Sequence, residues 1–534
     1  QQQRINMRDE ENQDQFFHQA RFWSIYFLIA AVILYTANLG SLPLRDWDEG
    51  IVAGVARNIW RAEPGSQTWL YPTINYGDPY WNKPPLIHGL IALSYKFFGV
   101  SEWSTRLVPA LLSACSVPLV YLIGREIFPR LATAIFSALV YLTLLPIARH
   151  GRVAMLDGAI ACWLCLGVWC LLRGRKNHRW LLGMGIALGM ICLTKGIMMG
   201  VLLGGILACF MLWDSPKLLQ ILYLWSGLLL GLMPAISWYV LQYLNYGADF
   251  LGINLGTQTF NRIWSPISTI SAPPWYYLLE IAKYSLPWLI FLPYGLKLAL
   301  SNRHLSWGKL TLTWGGIYLL AISVMKSKLP WYVIPLYPAL SFLVGVSLEN
   351  IWRKKQSNKF WQVSLSAISG ICWLGSGYYG LVQQVPQVDL AIILLVAALS
   401  LAIASLLLWQ RNRYFIVAII GGFYLALLLL FNSSHWLWEL NSDFAVKPIA
   451  AMVRENTPQQ KIYTSYPTLR PSLEFYSDRT IIPRSKVELQ QLWQDSSPSY
   501  FLVDAETISQ LNLKSIQVLG SSGSWQLVTQ KTKE

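Results

Sequence analysis

Thirteen apolar stretches constrain this 534-residue chain more than any other feature. They lie at 22–39, 104–123, 131–147, 156–172, 180–194, 197–213, 219–240, 277–299, 309–325, 331–348, 361–381, 388–409 and 414–431. Most approach the ~20 residues a helix needs to cross a bilayer's ~30 Å hydrocarbon core. With no water in that core, every backbone N–H and C=O must be paired internally, so such runs become helices. Two of them, 180–194 and 197–213, are short for a span and read as tilted or as misjudged at their ends. Charged residues are only 13% of the chain, against about a quarter in a soluble domain. This excludes a disordered protein, a nucleic-acid-binding module and an ordinary cytosolic enzyme.

The net charge of +15 is unevenly placed. From Asn432 onward ten basic residues balance ten acidic ones, so the excess lies in the membrane part. With the N-terminus in the cytoplasm, the inner connections carry sixteen positive charges. These are Arg125 and Arg130; Arg173, Arg175, Lys176 and Arg179; Lys217; Lys297, Arg303 and Lys309; Arg353, Lys354, Lys355 and Lys359; Arg411 and Arg413. That is the bias insertion demands. The apolar stretch 86–98 would invert everything after it if it crossed, so it is expected to lie along the membrane surface. The seven cysteines all sit in apolar runs, and Cys162, Cys165 and Cys170 read as packing residues.

The organisation expected is therefore a cytoplasmic tail over 1–21, a membrane domain over 22–431 and a periplasmic α/β domain over 432–534. Long outer loops at 40–103 and 241–276 are rich in Trp, Tyr and Pro. The terminal domain alternates strand patterns (461–465, 499–504, 515–520, 524–530) with helical ones (444–455, 486–494).

Six cations fall on the outer side against the insertion bias: Lys83, Arg149, Arg152, Lys195, Lys326 and Lys328. One alone reads as a snorkelling side chain. Six together suggest a pocket for a phosphate or pyrophosphate anion. Asp46, Asp48 and Glu49 open the first outer loop, and Asp157 adds a fourth acid at the outer end of a span. A carboxylate beside a basic pocket suits a general base, and an Asp-x-Asp pair suits a divalent cation. An Asp capping the helix that follows would account for only one of the three. Among possible metal ligands, Asp46, Asp48 and His88 stand first, with Glu102 and Asp157 behind them.

The order of motifs then matters: Asp48-Glu49; Asn82-Lys83-Pro84-Pro85-Leu86; Leu156-Asp157; Leu193-Thr194-Lys195-Gly196; and Ser327-Lys328-Leu329-Pro330-Trp331-Tyr332. Over nearly its whole length the chain resembles the membrane glycosyltransferases that include the aminoarabinose–lipid A transferases and, more distantly, the protein O-mannosyltransferases. The resemblance implies a polytopic α-helical protein of the GT-C fold with about thirteen transmembrane helices and a small C-terminal α/β soluble domain. It implies a sugar donor linked to polyprenyl phosphate, used on the periplasmic side of a bacterial inner membrane. Asp48, Lys83, Asp157, Lys195, Lys328 and Tyr332 fall on the family's motif positions, and Leu473-Glu474-Phe475-Tyr476 is like a recurrent patch in its terminal domain. The chain departs from the aminoarabinose type at Ile51 and Val52, which stand where Arg and Tyr are usual. Asn82 replaces a Glu associated in the family with a bound metal.

The chemistry expected is a single, inverting displacement. Asp48, with Glu49 and Asp157 as further catalytic candidates, takes or orients the acceptor's proton. Lys83, Arg149, Arg152, Lys195, Lys326, Lys328 and Tyr332 bind the donor phosphate. The acceptor is a lipid, glycan or protein hydroxyl, or a phosphate; the surrounding partner is membrane lipid, and nucleic acid is none. Divalent metal is not expected to be strictly required. A protein O-mannosyltransferase, a non-enzymatic flippase of lipid-linked sugars and an assembly protein remain as alternatives.

Overall fold

The computed structural model describes residues 2–74, 77–265, 272–439, 445–458, 461–494, 499–511 and 515–530. The chain is a multi-pass membrane protein, and the apolar runs become helices. Among the described residues seven helices are long and apolar enough to cross a membrane: Gln19–Thr36, Glu102–Ile127, Asp157–Gly174, Ile197–Asp214, Leu222–Tyr246, Pro330–Lys354 and Val388–Trp409. Trp180–Lys195 and Phe415–Phe431 are apolar but shorter, and Leu86–Phe98 is shorter still. At 1.5 Å per residue, the thirteen residues of Leu86–Phe98 reach only about 20 Å, too little for a span.

Two expected spans are broken. The run 131–147 becomes Leu131–Thr143 and Leu145–Arg152, bent by 57° at Leu144. Pro146 sits in the first turn of the second helix, where its missing N–H costs nothing. The run 277–299 becomes Tyr276–Tyr284, a 3-10 turn at Trp288–Phe291 and a helix at Leu292–Ser301. Pro287 and Pro293 stand at the two joints, since proline cannot continue an i to i−4 ladder.

The chain divides into two compact units. The first comprises Gln1–Leu39, Trp81–Leu86 and Pro109–Trp436. In it the connections rich in Lys and Arg gather at one end. Glu126 accepts from Arg173 at 3.2 Å and Lys176 at 2.8 Å. Asp214 meets Arg175 at 3.0 Å and Lys309 at 3.5 Å. Glu349 meets Arg130 at 3.1 Å and Arg353 at 3.2 Å, and Arg413 lies 5.2 Å from the centre of the Trp352 ring. All six connections expected on one side are thereby linked.

The second unit comprises Gly40–Tyr80, Ile87–Val108 and Leu437–Glu534. Its five-stranded sheet is built from β1 (Lys461–Thr464), β2 (Thr480–Pro483), β3 (Tyr500–Asp504), β4 (Ile516–Ser522) and β5 (Trp525–Gln530), in the order β2-β1-β3-β5-β4. β2, β1 and β3 run parallel; β5 joins β3 antiparallel with Leu502 opposite Leu527, and β4 completes a hairpin. Phe501, Leu502 and Val503 are buried in succession, as a central strand covered on both faces requires. Val446–Asn456 covers one face through Ile449 and Val453, and Lys486–Gln494 covers the other through Leu489 and Trp493. The short strand β2 was not among the sequence expectations. The helix Asp48–Arg61 lies against Pro471–Ser477 in this unit. A Cβ at Gly50 would come within 2.5 Å of the Ser472 nitrogen, so only glycine permits this approach.

Candidate active site

The first unit brings three cations around one carboxylate. Asp157 opens the helix Asp157–Gly174, Lys195 closes the helix Trp180–Lys195, and the two form an almost buried ion pair. Gly196 makes the turn after Lys195 at φ 104°, a conformation that strains any residue with a Cβ. The Lys195 ammonium lies 5.1 Å from the centre of the Tyr332 ring. The Tyr332 hydroxyl in turn accepts from Arg262 at 2.9 Å. Lys83, half-buried just before Pro84-Pro85, completes the group. Burial, with the charges of Arg262 and Lys195 beside it, pushes its pKa down to about 7, and Asp157 offsets this only in part. Three cations against one carboxylate leave a positive excess, the electrostatics of an anion site.

A hydrogen-bonded chain joins the segments that carry these cations. Asn254 donates to the Trp81 carbonyl at 2.6 Å and accepts from the Tyr239 hydroxyl at 3.1 Å. That hydroxyl also accepts from the Ile197 N–H at 3.2 Å. Trp81 precedes Lys83 by two residues, Ile197 follows Lys195 by two, and Asn254 lies in the turns leading to Arg262.

Arg262 was missed by sequence reading. The sequence reads 241–276 as a long outer loop rich in aromatic residues, and part of it, 266–271, lies outside the described residues. The available signal was an arginine on the side where insertion disfavours one, between Phe260 and Trp264.

Several expected phosphate ligands are corrected. Arg152 is fully buried and donates to the carbonyls of Leu34, Tyr35 and Ala37, with its guanidinium 4.1 Å from the Phe431 ring and 4.5 Å from that of Trp436. It caps the C-terminus of the first helix. Arg149 is buried and donates to the Trp436 carbonyl at 2.8 Å. Lys328 donates to the carbonyls of Ile322, Ser323 and Met325, at the end of Ser306–Val324. Helix C-termini expose unpaired carbonyls at the negative pole, and a cation satisfies both deficits. Lys326 is exposed, and its backbone N–H bonds to Ile263.

In the second unit the acidic trio separates. Glu49 is fully buried, and its two oxygens accept from Arg106 at 2.8 Å each and from the Arg45 N–H at 2.8 Å. Arg106 is equally buried and also holds the Leu42 and Pro43 carbonyls. This corrects the catalytic expectation for Glu49, because a carboxylate enclosed by a guanidinium is a structural ion. Asp46 is held by Arg470 and Ser472. Asp48 differs: its side chain is 33% exposed and meets Arg45 at 2.8 Å, while Arg45 also reaches Glu439 at 3.1 Å. No aspartate caps this helix; Trp47 precedes it at φ 66°, a strained conformation for a bulky residue. Glu102 pairs with Lys447 and the Tyr476 hydroxyl. His88 is fully buried, its ring centre 5.3 Å from that of Tyr80. Among the described residues no three His, Cys, Asp or Glu side chains are grouped to hold a metal, so Asp46, Asp48 and His88 do not form a ligand set.

Comparison with known proteins places this architecture. The family model of dolichyl-phosphate-mannose-protein mannosyltransferase matches residues 23–247. An uncharacterized protein of Aquifex aeolicus is 28% identical, over 86% of this chain and 87% of its own length. The undecaprenyl phosphate-alpha-4-amino-4-deoxy-L-arabinose arabinosyl transferase 1 of Pseudomonas fluorescens is 26% identical over 68% of this chain, and the chain spans 66% of its length. The crystal structure of ArnT from Cupriavidus metallidurans bound to undecaprenyl phosphate superposes with a TM-score of 0.78 at 20% identity, covering 96% of this chain and 98% of that one. The archaeal oligosaccharyltransferase AglB from Archaeoglobus fulgidus gives 0.54 at 13% identity, covering 91% of this chain and 70% of that one. The fold is that of the GT-C proteins.

Proposed function

We propose that this chain is a membrane glycosyltransferase that moves a sugar from a polyprenyl-phosphate donor to an acceptor hydroxyl or phosphate, inverting the anomeric centre. The observation that carries this reading is the convergence of Lys83, Lys195 and Arg262 around Asp157 and Tyr332. The lipid tail stays in the bilayer and the donor phosphate lies among the three cations. An acceptor oxygen attacks the anomeric carbon, the bond from that carbon to the phosphate oxygen breaks, and its electron pair leaves on the polyprenyl phosphate. The cations stabilise the charge gathering there, an effect worth roughly 3 kcal/mol per well-placed donor. Asp157 holds Lys195 in place. Asp48, the most exposed carboxylate of its trio, is assigned the acceptor's proton. The basic connections gathered at one end favour a cytoplasmic N-terminus. The site is then periplasmic, in a bacterial inner membrane.

The likeness to the arabinosyl transferases and to ArnT bound to undecaprenyl phosphate favours undecaprenyl phosphate as the donor's lipid. The mannosyltransferase family model keeps a protein hydroxyl as the second reading. The test is purified full-length protein incubated with a labelled polyprenyl-phosphate sugar, following release of polyprenyl phosphate. Lys83→Ala and Lys195→Ala should each cost at least about tenfold, which is ~1.4 kcal/mol. Lys355→Ala, at the basic end, should match the wild type. Equal losses in all three would remove the local role of the cations.

A further inference from the structure

The first unit holds a polar cavity far from the cations just described. It encloses about 770 Å³ and is lined by Pro293, Tyr294, Lys297, Gln356, Asn358 and Lys359, with Ile290, Ser357, Phe360 and Trp361 completing the wall. These residues come from the turn Trp288–Phe291 and the first two turns of Leu292–Ser301, the loop after Tyr337–Lys354 and the start of Lys359–Gly377. Tyr332 stands at the beginning of Pro330–Lys354, whereas the cavity opens beyond its last residue. Four 3-10 residues after Tyr332 and eighteen α residues separate them by about 35 Å. The cavity is therefore at the other end of a membrane-length element, on the side where the basic connections gather.

Its chemistry is one-sided. Lys297 and Lys359 both line it, both are exposed, and among the described residues neither ammonium has a hydrogen-bond or ion-pair partner. No carboxylate is in the lining. The Tyr294 hydroxyl, bonded to Asn350 at 3.2 Å and Gln356 at 3.3 Å, and the Asn358 and Gln356 amides add uncharged polar groups. Phe360 is 55% exposed beside Lys359, an apolar surface next to the charge. Basic pockets between membrane helices on the cytoplasmic side are suited to anionic headgroups.

We propose that this cavity binds a phosphate-bearing anion, held by Lys297 and Lys359, at the membrane face opposite the sugar-transfer site. An anionic phospholipid supplies that group with its acyl chains beside Phe360; free phosphate supplies it without them. The site is independent of the transfer reaction and stands whether or not that reading holds.

The test is native mass spectrometry of the full-length protein, released from detergent with dioleoyl-phosphatidylglycerol, with dioleoyl-phosphatidylcholine, or with inorganic phosphate. Wild-type protein should retain phosphatidylglycerol over phosphatidylcholine. The double variant Lys297→Ala, Lys359→Ala should retain roughly thirtyfold less, at about one kcal/mol per lysine near the surface. The double variant Lys297→Arg, Lys359→Arg should keep binding, and Lys217→Ala, outside the cavity, should behave as wild type. Retention of phosphate in place of lipid, lost in the same alanine variant, would assign the free anion. Binding of neither, or phosphatidylglycerol retention unchanged in a folded alanine variant, would overturn the proposal.

Discussion

At the scale of single residues, charge type was legible from sequence but occupation was not. Lys83 and Lys195 read as cations on the disfavoured side, and the structure brings both to one cluster. Arg149, Arg152 and Lys328 carried the same signal, yet they satisfy backbone carbonyls; a sequence does not say which helix end lacks a partner. Lys83 makes a pH prediction. Its pKa near 7 means it is charged below that pH and about one-tenth charged at pH 8. A phosphate favours the charged form, so donor affinity should be flat below pH 7 and fall up to about tenfold per unit above it. Lys83→Arg should abolish the fall, because a guanidinium stays charged; a titration of polyprenyl-phosphate binding by wild type and variant checks this. The acids give a second contrast. Glu49→Gln should lose stability by roughly 3 kcal/mol, because Arg106 is left buried without its counter-charge. Asp48→Asn should keep its melting temperature and lose transfer activity. Thermal unfolding of the two variants in one detergent, beside turnover, separates them. Similar melting losses in both would return Glu49 and Asp48 to a common role. On chelation, activity is expected to survive EDTA, since three side-chain cations converge where the leaving group is proposed to lie. Loss restored by Mg²⁺ or Mn²⁺ would contradict that.

At the scale of elements, hydrophobic length located helices well and joints poorly. The bend at Leu144 and the turn at Trp288–Phe291 lie inside runs that are apolar throughout, and only their prolines marked them. The contacts that align Lys83, Lys195 and Arg262 were not legible, because they pass through Asn254 and Tyr239, distant in sequence and without a motif. Asn254 is accordingly a positioning residue. Asn254→Ala removes bonds to the Trp81 carbonyl and the Tyr239 hydroxyl. It should raise the donor KM by about tenfold, some 1.4 kcal/mol, with a smaller change in kcat. The pH at which donor affinity falls should shift, because Lys83 loses its fixed distance from Arg262. A variant with altered kcat alone and an unmoved pH profile would assign Asn254 to stability only.

At the scale of the whole molecule, the positive-charge bias read from sequence has a structural counterpart. The connections expected on the inner side are cross-linked at one end through Glu126, Asp214 and Glu349, while Asp157, Lys195 and Tyr332 occupy opposite helix ends. A reagent reactive with thiols and unable to cross membranes should therefore label a cysteine placed at Lys355 only after the cells are opened. Lys83, Lys195 and Arg262 are proposed to hold a lipid-linked phosphate together. The most direct measurement is the affinity of purified protein for undecaprenyl phosphate, compared between wild type and Arg262→Ala at pH 6.5, where Lys83 is mostly charged. Arg262 was chosen by geometry alone, so it tests the cluster and not the motif. Binding by Arg262→Ala should be at least about tenfold weaker with unfolding temperature unchanged. Undiminished binding by a folded Arg262→Ala protein would contradict the proposal.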